Sequence, residues 1–144
     1  MTYLITGGYA STPAMPQAVT VSPSPAPTTP QFSSTAVAGA KENLCHVFDV
    51  SVRGQEGQGG VRVAGGGVNA PMVLRALNSA SAVQNTLVPA VPPDVASAAR
   101  KYIDTTLDQT TAAMGDMPTS EVNRLTDVRN DAIDALVDVC GLPR

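Results

Sequence analysis

Residues 119–140, Thr119-Ser-Glu-Val-Asn-Arg-Leu-Thr-Asp-Val-Arg-Asn-Asp-Ala-Ile-Asp-Ala-Leu-Val-Asp-Val-Cys140, decide how this chain folds. Pro118 precedes the run, Thr119 or Ser120 can cap it, and Glu121 puts a carboxylate in its first turn; Gly141 and Pro143 stop it. At about 100° per residue, Val122, Leu125, Val128, Ala132, Ile133, Leu136, Val139 and Cys140 share one face. Asp127, Asp131, Asp134 and Asp138 share the opposite face. A helix over about 120–140 with such a stripe needs other helices to cover it.

The same periodicity recurs upstream. Pro93-Asp94 opens a helix of about 94–114 with Val95, Ala99, Tyr102, Ile103, Thr106, Thr110, Ala113 and Met114 facing inward. Asn69 caps a helix of about 70–88, whose apolar face is Val73, Leu74, Leu77, Ala80, Gln84, Leu87 and Val88. Ser33 or Ser34 caps a helix of about 35–53, with Val37, Ala40, Leu44, Val47, Phe48 and Val52 on one side and Cys45 on its shoulder. Strand patterns are nearly absent, apart from a short alternation over 61–63. The expected fold is therefore all-α, an up-down antiparallel four-helix bundle over residues 35–144.

Two stretches fall outside the helices. Residues 1–34 hold most of the prolines, including Ser22-Pro-Ser-Pro-Ala-Pro-Thr-Thr-Pro30, and almost no charge. Proline removes backbone donors and biases its neighbour to extended geometry, which predicts a disordered Pro/Ser/Thr-rich stalk or linker. Such a mixture also suits an O-glycosylated stalk. Residues 54–67 form a Gly-rich stretch that lacks both GxGxxG and GxxxxGK[ST], so a flexible interhelical loop is expected, with Val61 and Val63 pinning its middle.

The 144 residues suit one domain, with 43% hydrophobic but only 3% aromatic residues and no Trp. The core must come from Ala, Val, Leu and Ile. A net charge of −3 and scattered basic residues argue against a nucleic-acid partner. No apolar run is long enough to span a bilayer, and the first residues lack a signal-peptide pattern.

Motifs for chemistry are sparse. The four aspartates face away from the apolar stripe, so they read as a hydrated surface, with Arg124 and Arg129 close enough to pair with some of them. His46, the single histidine, projects from the polar side of the first helix and diverges from Cys45 by about 100°. A di-metal bundle would need Glu-x-x-His pairs, and a hydrolase a GxSxG elbow or a base beside its nucleophile; none is present. No catalytic, cofactor-binding or metal-ligating residue is expected, and the chain is not expected to be an enzyme.

Cys45 and Cys140 remain. They are compatible with one disulfide or with two buried thiols. In an up-down bundle the start of the first helix lies beside the end of the last, which favours a bond between them. Closing a loop of about 95 residues would add about 4–5 kcal/mol in the chain-entropy account.

Ala38-Gly-Ala-Lys-Glu-Asn-Leu-Cys45, then Val52-Arg-Gly-Gln55, with the Pro-rich stretch and a second Cys near the C-terminus, resembles small actinobacterial, mycobacterial-type envelope proteins. Those have a membrane anchor, a Pro/Thr-rich stalk and an Ala-rich helical domain. The likeness covers about residues 20–144 and implies location and architecture, not activity. The anchor is missing from this sequence, so either it is expected upstream of Met1, or the protein is expected to be soluble or exported by another route. The resulting expectation is an extracytoplasmic, non-enzymatic interaction module whose partner is an envelope protein or lipid. The alternative is a carrier that holds a small apolar ligand between its helices.

Overall fold

The computed structural model describes residues 16–25, 31–53 and 59–144. The chain divides into two units, residues 1–30 and 31–144. In the first, residues 16–25 are exposed and have no helix or strand; the rest of the expected stalk up to residue 30 lies outside the described residues.

The second unit is all-α. Its four helices are α1 (Ser34–Val52), α2 (Ala70–Asn85), α3 (Pro93–Met114) and α4 (Thr119–Cys140), packed as an up-down bundle. α3 packs against both α2 and α4, and α1 lies mainly on α2. Several boundaries have a local cause. Ser33 Oγ accepts from the Ala36 amide at 3.1 Å and so starts α1. Pro93 sits at the first position of α3, where a missing N–H costs nothing. α4 closes with Gly141 in the left-handed region (φ 68°). The Gly141 amide bonds Asp138 O and the Leu142 amide bonds Val137 O, both at 3.0 Å, as in a Schellman motif.

α2 stops at Asn85, three residues before the expected end. Thr86 turns the chain there, its hydroxyl donating to Val83 O at 2.6 Å and its amide to the same carbonyl. The inward face of α2 is also rotated from expectation: Val73, Ala76, Ser79, Ala80 and Val83 are buried, whereas Leu74, Gln84 and Val88 are exposed. Alanines at 76 and 80 let α2 approach its neighbours closely, and Leu74 at the helix edge is left in water. Met114, expected inward, is 54% exposed because α3 ends there.

Leu44, Phe48, Val83, Val95, Ala99, Tyr102, Ala132 and Leu136 form the main core. The rings of Phe48 and Tyr102 meet edge to face at 5.5 Å. Each large buried side chain contributes roughly 1.5–3 kcal/mol, so a few such residues offset much of the alanine. A second cluster, Val61, Val73, Ala112, Ala113 and Val122, fills the opposite end of the bundle.

The expected flexible loop of 54–67 is partly corrected. Residues 54–58 lie outside the described residues, but the part that follows is hydrogen-bonded into a small hairpin. Val63 N–H bonds Gly67 O and Asn69 N–H bonds Val61 O, each at 2.8 Å, with Arg62 paired across from Val68. Gly65 and Gly66 have φ of 101° and 90°, which lets the tip turn. Val61 is buried as expected; Val63 is 50% exposed.

Candidate functional site

Cys45 and Cys140 are joined as a disulfide, with their Cα atoms 5.6 Å apart. Cys140 is the last residue of α4 and Cys45 the twelfth of α1. The eleven residues of α1 before Cys45 therefore extend past the end of α4, by about 16 Å at 1.5 Å per residue. The bond and the C-terminal tail border a surface groove of about 490 Å3. Lys41, Glu42, His46 and Asp49 rim it, and Ala38, Leu142 and the two sulfurs supply its apolar part. On the far side of the tail a second groove, about 330 Å3, lies between Arg53, Ile133, Asp134, Val137 and Arg144.

The rim charges are exposed or half-exposed. Asp49 pairs with Arg53 at 3.2 Å. His46 is exposed, as its helical position predicts. The four aspartates of α4 are all exposed, and no group of three or more His, Cys, Asp or Glu able to hold a metal occurs among the described residues.

The arginines behave differently from expectation. Arg124 pairs with Glu121, one turn before it, with Nε to Oε2 at 2.9 Å. That hydrogen bond is the main reason the Glu121 carboxyl titrates below its ordinary range. Arg144, in the tail, grips Asp138 with Nη2 at 2.8 Å from both carboxylate oxygens, and this contact raises its own pKa. Arg129 turns inward: Nε donates to Thr106 Oγ1 at 3.1 Å, and the guanidinium lies 5.7 Å from the Tyr102 ring centroid.

Arg129 belongs to a polar seam between α3 and α4. Gln109 Nε2 donates to Thr126 Oγ1 at 2.8 Å, and the Thr126 hydroxyl in turn donates to Val122 O at 2.8 Å. Tyr102 Oη and Gln109 Oε1 are buried without a hydrogen-bond partner among the described residues. Thr106 and Thr110 were legible as inward positions; Gln109 and Thr105, also buried, were not. The buried arc of α3 spans more than half a turn because this helix is flanked on two sides, which a single-stripe reading misses.

Arg62 was the other residue without a sequence signal. Its guanidinium crosses from the hairpin to the end of α3 and donates to Ala112 O (3.2 Å), Ala113 O (3.3 Å) and Gly115 O (2.9 Å). It satisfies carbonyls a helix end leaves open and places a cation at the negative pole of the helix. Beside it a groove of about 440 Å3 runs between the hairpin and Thr119, Val122, Asn123 and Thr126 of α4. Among the described residues no helix is long and apolar enough to cross a membrane.

Neither the curated proteins nor the solved structures compared with this chain contain a match. A family of bundle domains named after a Mycobacterium tuberculosis protein does match, over residues 65–141, a span that runs from the hairpin through α4 and leaves α1 outside. That span is more than half of the 144 residues, and the chain belongs to the family of the Rv2240c four-helix bundle domain.

Proposed function

We propose that this chain is a non-enzymatic, extracytoplasmic interaction module of the actinobacterial cell envelope, acting through its surface on an envelope protein or lipid. The observation that carries the reading is the Cys45–Cys140 disulfide. Such bonds persist in oxidising compartments and are rare in the cytosol. The bond also has a job in a core without Trp: about 4–5 kcal/mol from loop closure compares with the 5–15 kcal/mol net stability of a whole domain.

Two further features support the module over an enzyme or a carrier. The lone histidine and the aspartate row are solvated, and Cys45 is tied up in a bond. Rings and aliphatic side chains occupy the bundle centre, where a carrier needs space. The three grooves described above are open to solvent.

The reading is tested in the native host by trapping thiols with a mass-tagged maleimide before lysis and fractionating the cells. The expected result is an untagged protein in the envelope or culture medium. Two tagged cysteines on a cytosolic protein would end the proposal.

A further inference from the structure

We propose that α1 is a redox-released helix: reduction of Cys45–Cys140 by a dithiol undocks α1 while α2, α3 and α4 stay folded together. This rests on how α1 is held and does not depend on the function proposed above.

α1 is the least anchored helix of the bundle. Its buried residues, Leu44, Cys45, Phe48 and Val52, all lie in its second half. In the first half Ser34, Thr35, Ala36, Ala38 and Gly39 are exposed. It packs on α2 and meets α4 at few points, so the disulfide is its principal tie to α4. Upstream it follows a proline-rich stretch, and downstream Gly54-Gln-Glu-Gly-Gln-Gly-Gly60 leads away from it. Gly39 together with Thr35, Val37, Val47, Val50 and Val52 gives a weak intrinsic helix former, so a detached α1 would melt.

In the main core α1 supplies Leu44, Cys45, Phe48 and Val52, while the other eleven buried residues come from α2, α3, α4 and the α2–α3 turn. The second core cluster contains no residue of α1. The Arg62 cap, the Gln109–Thr126 bond and the Arg129–Thr106 bond are made wholly outside α1. The family span also begins after it, at residue 65.

The bond is within reach of a reductant. Both cysteines line the open groove, and Cys140 is the more exposed of the two. A dithiol thiolate attacks Cys140 Sγ, forming a mixed disulfide and expelling the Cys45 thiolate. The second thiol of the reductant then displaces Cys140 as a thiolate and closes the reductant's own disulfide. Two electrons pass from the dithiol to the protein, and the two protons the dithiol gives up reach the Cys45 and Cys140 thiolates through water.

The test is native-state hydrogen exchange on the 31–144 unit within the full chain, before and after dithiothreitol, with free thiols counted in parallel. Amides of α1 are expected to exchange at least about ten-fold faster once two thiols appear, and to lose at least about ten-fold more protection than those of α2–α4, which stay protected. Reoxidation should restore protection. The double variant Cys45→Ser/Cys140→Ser should show the same pattern without reductant. The idea is overturned by a bond that resists reduction under native conditions, by unchanged α1 protection, or by all four helices opening together. A double variant that cannot fold overturns it too, since α2–α4 would then depend on the tether.

Discussion

Tyr102 is the side chain on which the core turns. Its ring is fully buried between Phe48 and Arg129, yet its hydroxyl finds no partner among the described residues. A buried hydroxyl left unpaired costs about 1–3 kcal/mol. Tyr102→Phe should therefore leave stability unchanged or raise it by about 1 kcal/mol, while Tyr102→Ala should cost about 3–5 kcal/mol, as read by urea denaturation. A clear loss in the phenylalanine variant would mean that the hydroxyl is satisfied. Arg62 is the opposite case, a half-buried residue that donates to three carbonyls, two of them part-buried and one exposed. Arg62→Met keeps the aliphatic stem but strips the donors, and should cost about 1–3 kcal/mol. An unaffected melting point would reduce the cap to decoration. Glu121 tests the electrostatics. Its carboxyl is held low chiefly by the Arg124 hydrogen bond. A depressed folded pKa contributes stability that is present above the unfolded value near 4.5 and lost as pH falls through the folded value. The pair is exposed, so the effect on stability is small. NMR titration should place Glu121 below 4.5, and Arg124→Gln should raise it back toward that value.

Among the elements, two glycines separate local propensity from local geometry. Gly39 sits in the exposed part of α1 with open space where a Cβ would go. Gly39→Ala should stabilise by about 0.5–1 kcal/mol through helix propensity. Gly141 closes α4 with φ 68°, and Gly141→Ala should destabilise by about 1 kcal/mol despite equally open space. Thermal melts of the two variants should move in opposite directions; shifts of one sign in both would contradict the assigned cap. The four helices were legible because proline and glycine bracket them and their apolar residues repeat at helical spacing. The phase of α2 was not. Val73 and Leu74, and likewise Leu87 and Val88, are adjacent apolar pairs, and either member can face inward. The choice falls to Ala76, Ser79, Ala80 and Val83, whose small size matters only when two neighbours press in. Ser79 completes the fit by donating to Ser51 O at 2.8 Å, across to α1.

For the molecule as a whole, the disulfide links the helical unit nearly end to end, across a separation of 95 residues. Removing it should lower stability by about 4–5 kcal/mol in the chain-entropy account. A thermal midpoint that stays put in Cys45→Ser/Cys140→Ser would show that the bond constrains little. Sequence alone determined the helical class, the four-helix count, the hydrated aspartate face and the pairing worth expecting between the two cysteines. These follow from periodicity, capping and residue chemistry, which act over a few residues. Tertiary structure alone decided that α1 overshoots α4, that Arg129 leaves the aspartates for Tyr102 and Thr106, and that Arg62 seals α3 from about fifty residues away. Those outcomes depend on which surfaces meet at what height. Contacts between residues far apart in the chain are set by packing of whole helices, and no local pattern encodes them.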